Sequence, residues 1–180
     1  MTGSVQRPLR FLDVDGPLLP FGAAEYPTHG SDPERLDADA NPLLARADPE
    51  HGSRLLGLAC ELLWATAWME EANRYISPRI GLPELAVVIW PEQSAIDDQD
   101  ERDGLHWKTR TLVLRAAGRP FVWIDDEVTD TDRAWVAAHH KGPALLHRVD
   151  PRPGLTESDF TTITAWLNTL TSPPAPRDAV

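Results

Sequence analysis

The sequence predicts an α/β protein: a three-layer, Rossmann-like sheet of about five parallel strands with helices on both faces and no large cap domain. Three observations lead to this class. Apolar segments of strand length alternate along the chain with segments of helical spacing. Two of them, LAVVIW at 85–90 and FVWID at 121–125, are nearly continuous apolar runs, typical of strands buried on both faces. The 180 residues suffice for one domain with a substantial core.

The predicted strands are short apolar segments bounded by polar residues, glycine or proline. They cover residues 9–14, the second half of 55–66, 85–90, 121–125 and 144–149. The segment between the first two strands, residues 20–52, is rich in Pro, Gly, Asp and His. Loops of this length often carry function, so we predict that it forms a flap or lid.

The predicted helices follow from apolar residues at helical spacing and from residues that begin or end a helix. They cover residues 67–76, 106–117, 131–140 and 155–170. Pro78 is expected to end the first of them, and Thr129 or Asp130 is expected to cap the third. The polar, acidic segment 91–103 is predicted to be a loop.

Charge and cysteine content limit the classes of function. Seventeen Lys and Arg against 28 Asp and Glu give a net charge of −11. This charge disfavours strong non-specific nucleic-acid binding, because such binding needs cationic side chains that neutralise phosphates. The chain has no apolar run of membrane-spanning length, so no membrane partner is expected. Its single cysteine, Cys60, suits the cytoplasm. We expect a cytoplasmic single domain over residues 1–172 and a flexible tail over 173–180.

Polar residues follow several of the predicted strands or begin the next helix. They are Asp13, Asp15, Thr66, Lys108, Asp125 and Asp126. In a doubly wound sheet, ligands bind at the edge formed by the carboxyl ends of the strands. These side chains are therefore expected along one edge of the sheet, whereas structural acids are usually scattered over solvated faces.

This set of residue types suits phosphoryl transfer through a covalent intermediate. One carboxylate can attack phosphorus, and a second carboxylate two residues away can protonate the leaving oxygen and then activate water. Nucleophile and phosphate are both negatively charged, so their approach needs compensation. A Mg²⁺ ion with oxygen ligands supplies much of it, and an ammonium and a hydroxyl supply the rest.

The order of these residues resembles the haloacid dehalogenase-like (HAD) hydrolase superfamily. Its four motifs are matched in order by DVDG at 13–16, LLWAT ending at Thr66, Lys108 at a helix start, and VWIDD ending at Asp126. The resemblance covers roughly residues 8–170. The chain departs from the family at Pro17, where Thr or Val is usual; proline removes a backbone N–H and fixes φ, so the turn there is expected to differ.

The resemblance implies a role for each matched residue. Asp13 would be the nucleophile, and Asp15 the general acid and base. Thr66 and Lys108 would bind the phosphoryl group. Mg²⁺ would be held by Asp13, the backbone carbonyl of Asp15, and Asp126 or alternatively Asp125. The implied activity is a Mg²⁺-dependent phosphomonoesterase, because the dehalogenase branch of the family lacks an acid at position 15.

The gaps between the motifs leave no room for a full cap domain, so the resemblance implies an open site. Such a site suits a phosphorylated small molecule or a phosphorylated polymer end. FLDVDGPL and LLWATAW also resemble small HAD domains associated with RNA repair, which makes a nucleotide or a nucleic-acid end one substrate class.

Two other functions compete with this enzyme. A HAD-fold module that binds phosphate or nucleotide without turnover is favoured by Pro17 and the missing cap, but binding alone does not need both Asp13 and Asp15. A flavodoxin-like cofactor binder would have a loop rich in Gly or Ser/Thr after the first strand, where residues 13–17 are acidic instead.

Three neighbours of the matched residues have two interpretations. Trp68 and Trp107 could stack on a nucleobase, although core packing is the more common role of tryptophan. Arg110 competes with Lys108 for the role of the phosphate-binding cation, and either side chain could instead lie on a solvated helix face.

Overall fold

The computed structural model describes residues 7–29 and 41–171 and has a five-stranded, all-parallel sheet at its centre. The strands are β1 (Leu9–Leu12), β2 (Glu61–Trp64), β3 (Ala86–Val87), β4 (Phe121–Asp125) and β5 (Ala144–Arg148). Their order across the sheet is β3-β2-β1-β4-β5. The predicted fold class is thereby confirmed.

Helices cover both faces of this sheet. They are α1 (Glu50–Gly57), α2 (Ser77–Ile80), α3 (Ala95–Arg102), α4 (Thr109–Ala116), α5 (Asp130–His139) and α6 (Glu157–Thr171). Leu12 of β1 belongs to a core cluster that includes Phe160 of α6, and Phe11 belongs to a second cluster that includes Leu112 of α4. Successive side chains of a strand point to opposite faces, so β1 contributes to both cores. None of the helices in the described parts of the chain is long and apolar enough to cross a membrane.

The central strand β1 determines where the polar residues meet. Leu12 pairs in register with Trp64 of β2 and with Ile124 of β4. The residue after it, Asp13, still donates its backbone N–H to the Ile124 carbonyl at 3.0 Å. The chain runs from β1 outward to β2 and β3, then returns to β4 on the other side, so the direction of winding reverses between β1 and β4. In open α/β sheets this point forms a crevice at the carboxyl ends of the strands.

The segment 20–52 is less irregular than predicted. Residues 42–46 form a 3₁₀-helix (Pro42–Arg46), in which the Asn41 side chain accepts a hydrogen bond from the Leu43 N–H at 3.0 Å. Helix α1 already begins at Glu50. The loop prediction is therefore wrong for these residues, because Leu44 is buried in the core and anchors its segment. Residues 30–40 and the predicted tail 173–180 lie outside the described residues, and the role of 20–52 as a flap or lid stays a prediction.

Pro78 does not end the helix that precedes it. A π-helical turn (Ala72–Ile76) leads directly into α2, which contains the proline. The Ser77 N–H bonds to the Ala72 carbonyl five residues back. A proline ring clashes with the carbonyl four residues earlier in an α-helix, and the wider π turn accommodates the ring. The helix ends instead at Ile80, and its C-cap residue Gly81 has a φ of +74°.

Two further predictions are wrong in detail. Residues 91–103 contain α3, which has no apolar stripe to reveal it; tertiary contacts hold it, because the buried Asp100 pairs with Arg110 of α4. Residues 85–90 form only the two-residue strand β3 at the edge of the sheet, where Ala86 is exposed. In both cases the position of the segment in the fold, rather than its local pattern, decided the structure.

Candidate active site

Two neighbouring strands bring two carboxylates to the carboxyl edge of the sheet. Asp13 directly follows β1, and Asp125 is the last residue of β4. Both residues are buried, Asp13 with 6% of its surface exposed and Asp125 with none. Burying charged groups is costly unless they are paired, so this pair requires a cation beside it.

Lys108 supplies that cation. Its ammonium nitrogen Nζ lies 2.9 Å from Oδ2 of Asp13 and 2.7 Å from Oδ2 of Asp125. The residue is the N-cap of α4, and its own N–H donates to the His106 ring at 3.2 Å, which holds the turn before the helix. Arg110 instead bonds to Asp100 at 2.8 Å. Of the two cations considered from the sequence, Lys108 is the one that lies in the cluster.

Asp125 is held by more donors than Lys108 alone. Its Oδ2 also accepts from the Trp123 indole N–H at 3.1 Å, and its Oδ1 accepts from the Glu127 backbone N–H at 2.9 Å. Asp126 lies beside it, and one oxygen each of Asp13, Asp125 and Asp126 lies within 4.8 Å of the others. Asp125 has none of its surface exposed, whereas Asp126 has 9% and Asp13 has 6%, so Asp126 and Asp13 are better placed than Asp125 to bind a ligand or a metal ion.

The cluster has more acidic groups than basic ones, and this shifts their pKa values. Burial raises the pKa of Asp13 to about 7 against the attraction of Lys108, and the charge of Asp125 adds to the rise. Burial and the neighbouring Asp125 raise the pKa of Asp126 to about 6. Burial acts to lower the pKa of Lys108, but the attractions of Asp13 and Asp125 outweigh it and raise that pKa. Three carboxylates thus surround one ammonium.

A bound divalent cation would offset the excess negative charge of these three carboxylates. The possible ligand atoms of Asp13, Asp125 and Asp126 are all carboxylate oxygens, which suit hard cations such as Mg²⁺ or Ca²⁺. A bound cation would favour the ionised forms of Asp13 and Asp126, whose pKa values burial raises. The residues present therefore fit a metal site, with Asp13 and Asp126 as its best-placed protein ligands.

Gly16 lets the loop after β1 approach Asp126. Its φ is +81°, and a Cβ placed on it would lie 2.5 Å from the Cγ atom of Asp126. Only glycine combines this conformation with so close a contact. The turn that follows Asp13 is therefore shaped against the acidic cluster.

Replacing Gly16 by alanine tests this close approach. We expect Gly16→Ala to lower stability by clearly more than the cost of about 1–2 kcal/mol for a left-handed alanine, and to weaken stabilisation by Mg²⁺ because Asp126 must move. Gly118→Ala is the matched control, since Gly118 has a φ of +84° and nothing within 4 Å of the added Cβ. The measurement is the melting temperature Tm with and without Mg²⁺; equal losses in the two variants would contradict the contact.

Asp15 lies apart from the cluster. Its Oδ2 accepts from the Trp68 indole N–H at 2.9 Å. No hydrogen bond or ion pair joins Asp15 to Asp13, Lys108, Asp125 or Asp126 within residues 7–29 and 41–171. Trp68 packs against the core, as its more common role predicts, and its indole N–H also orients the candidate acid and base.

Thr66 lies two residues beyond β2, beside the end of β1, and is fully buried. Its hydroxyl accepts from the Trp68 backbone N–H at 3.3 Å, and its carbonyl accepts from the Trp90 indole N–H at 3.0 Å. These bonds tie the end of β2 to two tryptophans. Binding of a phosphoryl group by Thr66 stays a prediction.

The contacts that three residues make near the cluster were not predicted from the sequence. Trp123 shares a face of β4 with Asp125, since they are two residues apart, and this spacing was the available signal. The His106 ring lies 3.0 Å from Oε2 of Glu127, whose backbone N–H in turn donates to Asp125. One possible metal-ligand atom each of His106, Asp125 and Glu127 lies within 4.8 Å of the others. Only the fold brings His106 to the residues after β4.

Comparison of the chain with protein-family models, with curated proteins and with solved structures gives no significant match. The resemblance to the HAD superfamily therefore stays a prediction. A functional assignment must depend on the geometry of the cluster formed by Asp13, Lys108, Asp125 and Asp126.

Proposed function

We propose that this protein is a cytoplasmic, HAD-like, Mg²⁺-dependent phosphomonoesterase that works through an aspartyl-phosphate on Asp13. The observation that carries the proposal is the position of Lys108 Nζ, 2.9 Å from Asp13 and 2.7 Å from Asp125, at the carboxyl edge of the two central strands. An ammonium in contact with a buried carboxylate can lower the repulsion between that carboxylate and a phosphate. The adjacent Asp126 supplies a further oxygen ligand for a cation.

The chain's own residues divide the work of two steps. In the first, an oxygen of Asp13 attacks phosphorus, the bond from phosphorus to the ester oxygen breaks, and Asp15 protonates that leaving oxygen. In the second, water attacks the phosphorus of the aspartyl-phosphate, Asp15 takes a proton of the water, and the bond from phosphorus to the Asp13 oxygen breaks, which releases phosphate and restores the Asp13 carboxylate. Trp68 holds Oδ2 of Asp15, and the other oxygen can carry the proton.

The cation would be held by Asp13 and Asp126. When bound, Mg²⁺ supplies positive charge that favours ionised Asp13 and offsets the charge of the phosphate. Lys108 and the protein donors around Asp125 keep the carboxylates in position before the substrate arrives, so little reorganisation is needed during the reaction.

The second candidate function is a module of the same fold that binds phosphate or nucleotide without turnover. The observation in its favour is the position of Asp15, whose carboxylate is bonded to Trp68 and lies outside the cluster. A protein of this kind would bind Mg²⁺ and phosphate at Asp126 and Lys108 but would release no product.

Hydrolysis of p-nitrophenyl phosphate in Mg²⁺ and in EDTA tests the proposal. We expect turnover in Mg²⁺, loss of turnover in EDTA, and recovery when excess Mg²⁺ is returned, because without a metal ion the carboxylates outnumber Lys108 and repel phosphate. Asp126→Asn should raise the Mg²⁺ concentration needed for activity, and Asp130→Asn, at a fully exposed acid on α5, is the matched control.

The outcome also separates the two candidate functions. Stabilisation by Mg²⁺ without hydrolysis of any phosphomonoester would favour the binding module. If Mg²⁺ neither stabilises the protein nor supports hydrolysis, both candidates are wrong.

A further inference from the structure

A cavity of about 660 Å³ lies beside the cluster and has no role in the mechanism above. Its walls come from the chain after β3 (90–93), from the last turn of α3 and the segment that follows it (101–107), and from the chain after β4 (127–129). Lys108 directly follows the second of these segments, and Asp125 lies two residues before the third. The cavity is therefore positioned to receive whatever is attached to a phosphate in the site.

Two tryptophans, Trp90 and Trp107, line the cavity, and we call them its floor. Trp107 has 47% of its surface exposed, which is unusual for so large an apolar side chain. Its orientation is set by Trp90, whose ring packs edge-on at 4.7 Å between centroids, and by the His106 ring at 5.6 Å. Trp90 is itself held by its bond to the Thr66 carbonyl at 3.0 Å. A fixed, exposed indole is a surface on which a planar ring can stack.

The distance from this indole to the reacting groups is short. Lys108 Nζ lies 5.4 Å from the centroid of the Trp107 ring and 2.9 Å from Oδ2 of Asp13. One side chain thus bridges the stacking surface and the candidate nucleophile. A ring stacked on Trp107 and a phosphate at Asp13 can belong to one molecule if a group about the size of a sugar joins them.

Two exposed carboxylates also line the cavity, and we call them its acidic rim. Glu101 and Glu127 line it, together with the amide of Gln93, and all three residues are exposed. Carboxylates accept hydrogen bonds and donate none, so they favour a ligand that presents N–H groups at the edge of its ring. They also repel additional phosphates.

We propose that this cavity binds the leaving group of the substrate, and that this group is a nucleoside whose base carries an exocyclic amino group. The proposal rests on the proposed function for the position of the phosphate. The base stacks on Trp107, its amino group donates to Glu101 or Glu127, and its single phosphate reaches Lys108 and Asp13. A nucleoside diphosphate or triphosphate is disfavoured by the acidic rim. The nucleoside monophosphate can be free or can form the end of an oligonucleotide.

Binding of nucleosides without phosphate tests the cavity separately from the chemistry. Guanosine and inosine differ only in the 2-amino group, and we expect guanosine to bind at least roughly tenfold more tightly, because inosine leaves a rim carboxylate without its donor. Ribose 5-phosphate, which has no base, should not compete with guanosine. Isothermal titration calorimetry on the wild-type chain gives these affinities whether or not the protein hydrolyses phosphate esters.

Variants at Trp107 test whether the indole is the stacking surface. Trp107→Ala should weaken guanosine binding by roughly tenfold or more, while Trp107→Phe retains a ring and most of the affinity. Leu114→Ala, at a residue of α4 that is 78% exposed and outside the cavity, should change nothing. Equal binding of guanosine and inosine, or unchanged binding by Trp107→Ala, would overturn the proposal even if p-nitrophenyl phosphate is hydrolysed.

A last comparison identifies the source of the nucleotide. The affinity of GMP is measured against that of a 5′-phosphorylated dinucleotide that begins with guanosine. Comparable affinities assign the cavity to the end of an oligonucleotide, and exclusion of the dinucleotide assigns it to free mononucleotides. Failure of both ligands to compete with guanosine would overturn the link between cavity and phosphate site.

Discussion

Asp13→Asn is expected to abolish phosphate-ester hydrolysis and, in the same protein, to raise the melting temperature of the metal-free form at pH 8. The activity should fall on the order of 10⁴-fold or more, as for other removed nucleophiles, because an amide oxygen cannot form the aspartyl-phosphate. The gain in stability follows from burial, which raises the pKa of Asp13 to about 7. At pH 8 the folded state must hold an ionised carboxylate that asparagine does not carry.

The size of this gain in stability depends on pH. A carboxyl group with a raised pKa binds more protons in the folded state than in the unfolded state between its ordinary value of 3.8 and about 7. Stability therefore falls as the pH rises through this window. The gain from Asp13→Asn should be about 1–2 kcal/mol at pH 8, or roughly 2–8 °C in Tm, and should nearly vanish at pH 4.

Thermal denaturation at pH 4 and pH 8, with and without Mg²⁺, measures both parts of this effect. Mg²⁺ should raise the Tm of the wild type more than that of Asp13→Asn, since the variant lacks one ligand. Asp130→Asn again serves as the control, because its side chain is fully exposed. A variant that keeps its activity, or that is less stable than the wild type at pH 8, would contradict the role given to Asp13.

Lys108→Met should have the largest effect on stability. It leaves Asp13, Asp125 and Asp126 without their ammonium, and breaking a buried ion pair costs about 3–5 kcal/mol. The cost should be highest at pH 8 and lower at pH 5, where Asp13 and Asp126, with pKa values of about 7 and about 6, take up protons. The pKa of Lys108 itself is raised from 10.5, so the wild-type ammonium is present throughout this range.

Urea denaturation at the two pH values measures this difference. Mg²⁺ should restore part of the stability of Lys108→Met, because a divalent cation can replace the missing charge, but hydrolysis should stay low. Lys141→Met, at an exposed lysine between α5 and β5, is the matched control and should change neither property. An equal loss at pH 5 and pH 8 would show that lost packing, and not the unpaired carboxylates, causes the destabilisation.

The fold was predictable from sequence because its main strands carry their own signal. FVWID at 121–125 is β4 from end to end, and it is apolar because both of its faces are buried. The errors occurred where the local signal was weak. Helix α3 has no apolar stripe and depends on the pairing of Asp100 with Arg110, and Pro78 remains within a helix because a π turn precedes it.

The candidate site was predictable to the extent that topology alone determines it. Residues that follow parallel strands must lie at one edge, so the sequence alone determined the class of fold and the edge, but not the strand order that puts Asp13 beside the end of β4. It left open whether Lys108 or Arg110 would reach the carboxylates. The answer depends on distances between side chains that are far apart in the chain, and local sequence patterns do not encode such distances.

Only the tertiary structure decided how these side chains are paired and which of them are accessible. It placed Lys108 between Asp13 and Asp125, turned Asp15 toward Trp68, buried Thr66 and left Trp107 exposed beside a cavity. The physical reason is that burial and ion pairing depend on how separate elements pack. The spacing of residues along one strand or helix determines which face a side chain takes, but not what it meets there.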